Sequence, residues 1–244
     1  MKHLDKYAAE VKSFVEVCHK LSANMFVTGH GGNLAWRLEP NLILITPTRL
    51  NKGDMNPGDV VFTDMAGKRL EGTRKPTGEL PMYLGFFKHR PDVVTAIHCH
   101  PPMTNVFAIT GGRNLLMRPV FPETAIEVGP VPVVPYDTPL SIELANSFVP
   151  YLQKYNAFLM ENHGLVILSK GDIKWTMMLT ELLEMSAASI ISAAAIGPVK
   201  ELSRKQVQDL DKVMRIRELP LFGAPGKSAS LVDVFYPGKN ARRR

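Results

Sequence analysis

Apolar residues at Val11, Phe14, Val15, Val17, Cys18 and Leu21 share one face of a helix, so residues Tyr7 to Leu21 are predicted as an amphipathic helix. The period then changes. Leu42 to Thr46 and Val60 to Thr63 are short β-branched apolar runs bounded by Pro and Gly turns, and both read as buried strands. The Ala66-Gly67-Lys68 turn leads into a hairpin partner at Arg69-Leu70-Glu71. Helical spacing returns at Leu80, Tyr83, Leu84 and Phe87, with Pro81 suited to a first turn. A strand from Val93 ends in His98-Cys99-His100-Pro101-Pro102, and Thr104 to Thr110 reads as a short helix. Val131 to Pro135 is an interrupted strand, Ser141 to Tyr155 a helix, and Ala157 to Met160 and Leu165 to Ser169 two further strands. Asp172 to Ala195 is the longest helix, Leu202 to Arg217 a more polar one, and Pro220 to Gly238 a tail that could wrap a neighbour. With no repeat or linker to divide it, the chain is expected to form one domain over 1–244, with a C-terminal tail from about residue 218.

Composition narrows the partners. An apolar content of 45% in 244 residues is enough for one large core. No stretch reads as a membrane span, because the nearest case, Leu179 to Gly197, holds Glu181 and Glu184. Charges in Met1 to Lys6 argue against a secretory signal, and two cysteines make no disulfide framework. A cytoplasmic protein with no membrane partner is expected. The net charge of +6 comes in part from the tail Lys239 to Arg244. Basic and aromatic residues are not interleaved, so no nucleic-acid partner is expected, whereas a basic surface suits a small anionic substrate.

The chemistry gathers where the patterns break. Side chains alternate along a strand, so His98 and His100 project together and Cys99 points away. Two adjacent imidazoles at a strand end suit a zinc-type ion, although one core and one surface histidine would give the same pattern. His163 sits at a second break in apolar pattern, beside Gly164, and is a candidate third ligand. The glycines of Gly29 to Asn33 let backbone N–H groups approach an anion closely, though a plain tight turn would also use them. Glu79 falls at the N-terminus of the Leu80 to His89 helix.

Five motifs occur in order: Gly-Gly-Asn at 31–33, Thr-Pro-Thr at 46–48, Pro-Thr-Gly-Glu at 76–79, His-Cys-His-Pro at 98–101 and Asn-His-Gly at 162–164. Over about residues 7–217 the chain resembles the class II (zinc-dependent) sugar-phosphate aldolase and adducin-head family, which includes the fuculose- and rhamnulose-phosphate aldolases. The resemblance implies a three-layer α/β/α fold with a central, largely antiparallel sheet, assembled as a homotetramer. It implies one Zn2+, or another divalent metal, per subunit, with His98, His100 and His163 as ligands and Glu79 touching the metal at rest. Glu79 matches the family's catalytic carboxylate. The substrate, probed by His30, Gly32, Asn33, Thr48, Thr77 and Gly78, would be a sugar phosphate, its phosphate held by the three Gly- and Thr-rich loops.

The implied reaction is a retro-aldol cleavage of a small phosphorylated ketose. Cleavage leaves an enediolate, which zinc can chelate as a Lewis acid while Glu79 moves a proton. Some positions depart from the family. His30 and Arg49 stand where relatives often have small residues, and Gly78 where a serine is common. Phe121 falls near the expected tyrosine acid, and Tyr236 is a distant match to the fuculose enzyme's C-terminal tyrosine. A decarboxylase of a related oxo acid (phosphate) needs no such acid and is the alternative. A 4-epimerase, which carries aspartate at position 79, and a non-catalytic adducin-like module fit less well.

Overall fold

The computed structural model describes residues 2–236. Its strands are β1 (Asn33–Glu39), β2 (Leu42–Ile45), β3 (Val61–Thr63), β4 (Arg69–Glu71), β5 (Thr95–Cys99), β6 (Val133–Val134), β7 (Ala157–Met160) and β8 (Gly164–Ser169). Its helices are α1 (Lys2–Lys6), α2 (Ala8–Ala23), α3 (Leu80–His89), α4 (Pro102–Ile109), α5 (Pro122–Glu127), α6 (Ile142–Ser147), α7 (Val149–Leu152), α8 (Ile173–Ile196), α9 (Arg204–Ile216) and α10 (Leu231–Phe235). The strands form one sheet in the order β4-β3-β2-β1-β5-β8-β7-β6. Every pairing is antiparallel except that of β6 with β7. The largely antiparallel sheet implied by the motifs is therefore present, and β5 lies at its middle.

Alternation along the strands feeds two apolar layers. Leu34, Leu44, Phe62, Ile97, Cys99, Leu165 and Ile167 face the side covered by α2 and α8. Ala35, Ile43, Val61, Ala96, Phe158, Val166 and Leu168 face the side covered by α3, α6 and α7. The apolar face read from the sequence of α2 is the face that is buried.

Three expectations change. The Ser141 to Tyr155 helix is broken into α6 and α7, with Phe148 between them. Pro150 lacks the N–H that would continue the α6 ladder, and it sits in the first turn of α7 instead. The expected tail folds back on its own chain. Leu231, Val232 and Phe235 of α10 join Phe222, Ala125 and the α9 residues Val207 and Met214 in a third apolar cluster. The basic residues Lys239 to Arg244 lie outside the described residues.

The third change concerns α8. At 24 residues it is long and apolar enough to cross a membrane by length and composition, contrary to the sequence reading. In this fold it lies on the sheet with Ile173, Met177, Leu183, Ala187 and Ile190 buried. Both of its glutamates serve neighbouring elements. Glu181 accepts hydrogen bonds from Lys20 and Asn24 of the α2 end. Glu184 accepts from the backbone N–H groups of Met103 and Thr104, each at 2.8 Å, and from the Thr104 hydroxyl, so it caps α4 from outside.

Candidate active site

The site forms where β5 ends between β1 and β8. His98 is paired in register with Asn33 on one side and Val166 on the other. Cross-strand partners share a face, so His98 and Asn33 project together toward α3. Cys99 is buried in the opposite layer, where burial pushes its thiol pKa up. It has no part in the site. His100 follows the strand, and its Nε2 approaches that of His98 to 3.2 Å.

His163 comes from the three-residue turn between β7 and β8. Met160 pairs with Gly164 across that turn, and Asn162 takes the left-handed conformation with φ 55° that such turns use. The residue that follows His163, Gly164, has to be glycine. A Cβ at Gly164 would lie 2.5 Å from His100 Cδ2, 2.7 Å from the Cys99 carbonyl oxygen and 3.0 Å from His98 Cε1.

The three imidazoles offer ligand atoms within 4.8 Å of one another, a set that could hold a metal ion. Two observations bear on the fit. His98 Nδ1 lies 2.9 Å from the Leu165 carbonyl oxygen, to which it donates, so Nε2 carries the free lone pair. His100 and His163 are held neutral. Burial, then the neighbouring His98, His163 and Lys52, pushes His100 down to about 3. Burial and His98 push His163 down to about 4, against the opposing pull of Glu79. Neutral imidazoles with ligand atoms this close together are what a zinc-type cation requires.

Glu79 completes the cluster. Its carboxylate is 5% exposed and lies 3.6 Å from His98 Nε2 and 3.7 Å from His163 Nε2. It occupies the N-cap position of α3, yet its side chain makes no capping bond. Asn33 Nδ2 instead donates to Oε2 at 2.7 Å. Asn33 is itself fixed by Tyr83, whose hydroxyl lies 2.6 Å from its backbone oxygen and 2.7 Å from its side-chain oxygen. Burial, then the Glu79 charge, raises the Tyr83 pKa well above its usual value, so the phenol stays a donor. Tyr83 read in the sequence only as an apolar helix position. Its spacing four residues after Glu79, one helical turn, was the signal available.

A cleft of about 360 Å³ opens from this cluster, walled by the glycine-rich loop, the Pro47–Arg49 turn, Thr77-Gly78 and Pro139-Leu140. Every residue expected to bind substrate lines it: His30, Gly32, Asn33, Thr48, Thr77 and Gly78. Gly32 has φ 64°, and a Cβ there would lie 2.4 Å from Val27 Cγ1. The two threonine segments brace each other, Thr77 N–H donating to the Thr46 carbonyl and Thr48 N–H to that of Lys75, both at 3.0 Å. Lys52 was not foreseen. It is 1% exposed, and its Nζ donates to the Leu50 carbonyl at 2.9 Å and contacts the His30 carbonyl at 3.4 Å. Phe121 is not in the cleft lining; it opens α5 and packs on the core. Tyr236 is not in it either, its hydroxyl donating to the Leu202 carbonyl.

Residues 12–191 match the family model described as Class II Aldolase and Adducin N-terminal domain. The chain is 31% identical over 175 residues to an L-fuculose phosphate aldolase of Methanococcus maripaludis, covering 72% of this chain and 92% of that one. It is 29% identical over 158 residues to a 3-oxo-tetronate 4-phosphate decarboxylase of Pectobacterium atrosepticum, covering 62% and 72% respectively. Among solved structures, YgbL of Klebsiella pneumoniae is similar with a TM-score of 0.77 and 26% identity, over 83% of this chain and 98% of that one.

Proposed function

The chain belongs to the class II aldolase and adducin family, and from that premise we propose that it is a metal-dependent lyase cleaving a small phosphorylated ketose by a retro-aldol reaction. The observation that carries this reading is the convergence of three imidazoles and one buried carboxylate at the inner end of a single cleft. A divalent cation, zinc or a similar ion, one per subunit, would be held by His98, His100 and His163 with Glu79 beside it, and would supply Lewis-acid polarisation of a substrate carbonyl. Glu79 delivers a proton to the carbon left electron-rich when the carbon–carbon bond breaks. Asn33 and Tyr83 hold that carboxylate in place through their hydrogen-bond chain. The phosphate is taken by the glycine-rich loop and by the hydroxyls of Thr48 and Thr77, whose own N–H groups are already bonded to the Lys75 and Thr46 carbonyls. The same proposal includes a homotetramer; Met103, Val106 and Ile109 of α4 and Met185 of α8 are exposed apolar residues that support an interface there.

A specific observation favours a second reading. Retro-aldol cleavage also needs a group to take the hydroxyl proton as the aldehyde forms. Among the described residues the cleft lining contains no tyrosine. Decarboxylation of an oxo-acid phosphate releases carbon dioxide with no such proton to remove, and Glu79 would protonate the same carbon.

Metal analysis of the purified protein is expected to find about one zinc-type ion per chain, lost in His98→Ala. Glu79→Gln is expected to keep the metal and lose at least about a hundredfold in turnover. Full activity in that variant, or a native protein without metal, would sink the lyase reading. Sugar phosphates and oxo-acid phosphates assayed side by side for aldehyde and carbon dioxide separate the two reactions.

A further inference from the structure

We propose that Arg49 is the residue that selects substrate by charge, its guanidinium closing on an oxyanion carried by the substrate's end remote from the histidines. The proposal rests on the lyase reading only in taking the histidine cluster as the reacting end.

Arg49 has φ 54°, in the left-handed region that a residue with a Cβ seldom adopts. The conformation is imposed from both sides. Before it, Pro47 bridges to Pro76 and Thr48 N–H donates to Lys75. After it, the Asn51 side chain accepts from Gly53 N–H at 2.8 Å and starts the next turn. Glycine would take this backbone without strain, yet the position carries the longest cationic side chain there is. Strain retained in a cleft wall points to the side chain as the reason for it.

That side chain is free. Arg37, Arg69 and Arg74 are committed to carbonyl or carboxylate partners, and Arg90 is fully buried in a network of its own. Arg49 is exposed and makes no hydrogen bond or ion pair among the described residues. Among the described residues, it and Glu79 are the only formally charged side chains in the cleft lining, and Glu79 is taken up by Asn33 and the histidines.

Beneath the wall lies a second cation. Lys52 is buried, with carbonyl oxygens as its hydrogen-bond acceptors and no carboxylate in salt-bridge contact among the described residues. Two basic residues three apart have no carboxylate at contact among the described residues, although burial pushes the Lys52 pKa down and the Glu79 charge opposes that shift. An incoming oxyanion supplies the missing charge. The guanidinium fork fits either a phosphate monoester or a carboxylate through paired N–H donors.

Arg49→Gly tests this directly, because it removes the guanidinium while giving the backbone the residue it favours. Metal content and melting temperature are expected to be no lower than in the wild type. The metal-loaded full chain is titrated by calorimetry with inorganic phosphate and, separately, with malonate at low salt. At least one anion is expected to bind about tenfold more weakly to Arg49→Gly, with Arg49→Lys between the two. A loss on phosphate identifies a phosphate monoester as the anion selected; a loss on malonate alone identifies a carboxylate. Affinities for both anions within about twofold of the wild type would overturn the proposal. The lyase reading is judged separately, by metal content and product release, so a wild type that turns over nothing leaves the anion titration intact.

Discussion

A methyl group at position 164 would lie 2.5 Å from His100 Cδ2 and 2.7 Å from the Cys99 carbonyl oxygen. Neither neighbour can yield cheaply, since one is a site imidazole and the other is strand backbone. Gly164 has no positive φ, so the penalty of a side chain there is purely steric. Gly164→Ala is expected to lower metal content and to cost about 1–3 kcal/mol of stability, read by metal analysis and urea unfolding. A variant with wild-type metal content would show that the three imidazoles tolerate displacement. At this scale the sequence was partly legible. Strand period set His98 and His100 on one face without deciding for a metal, and the pattern break beside Gly164 marked His163 as a candidate third ligand; the ordered motifs then joined the three. Lys52 was invisible, because a lone lysine in a polar turn reads as solvated until the fold buries it. Arg49 stood out as a departure, but its backbone conformation is not written in residue type.

Elements carry the next level of control. Pro101-Pro102 joins His100 directly to α4, and the first N–H groups of α4 are capped by Glu184 from α8. A carboxylate there satisfies orphan donors and meets the positive end of the helix. Glu184→Ala is expected to cost about 1–2 kcal/mol in chemical denaturation. Because α4 leaves from the His100 segment, metal affinity is expected to fall as well. Unchanged affinity would mean that the strand holds His100 without help from its helix. The sequence had marked Glu184 only as a charge unfit for a membrane. Its actual partner lies 80 residues away, a distance at which no local pattern speaks. The break between α6 and α7 was more accessible, since Pro150 lies inside the predicted helix. There the apolar periodicity of Leu144, Phe148, Tyr151 and Leu152 outweighed the proline in the reading.

At the scale of the molecule, the clustered histidines couple protonation to folding. With no metal bound, burial and then the neighbouring histidines push His100 down to about 3 and His163 down to about 4, from the ordinary 6.5. Between those values and 6.5 the unfolded chain binds more protons than the native one. Their contribution is therefore intact above pH 6.5 and declines as the pH falls toward 3. Urea midpoints measured in chelator are expected to drop from pH 7 to pH 4.5. Restoring a divalent cation should move the drop to lower pH, because the cation competes with protons for the same nitrogens. A midpoint independent of pH over that range would show that the rings are not held neutral by the fold. Strand positions along the chain were legible, because apolar runs and turn residues mark them. The order of the strands was not. β5 pairs with β1 and β8, roughly sixty to seventy residues away on either side, and the family resemblance implied a largely antiparallel sheet without its order.

The register of β5 has one more consequence. A slip of one residue against β1 or β8 would exchange the two faces of the strand. His98 would then enter the apolar layer beneath α2 and α8, and Cys99 would face the cleft. An imidazole sealed among Leu34, Leu165 and Ile167 would lose its carbonyl partner and strand two ring nitrogens without water. The mispaired sheet is thus penalised by the very side chains that would serve the reaction. Groups usually counted as a burden on folding act here as a proofreader of strand alignment, admitting one registration of the central strand and rejecting its neighbours.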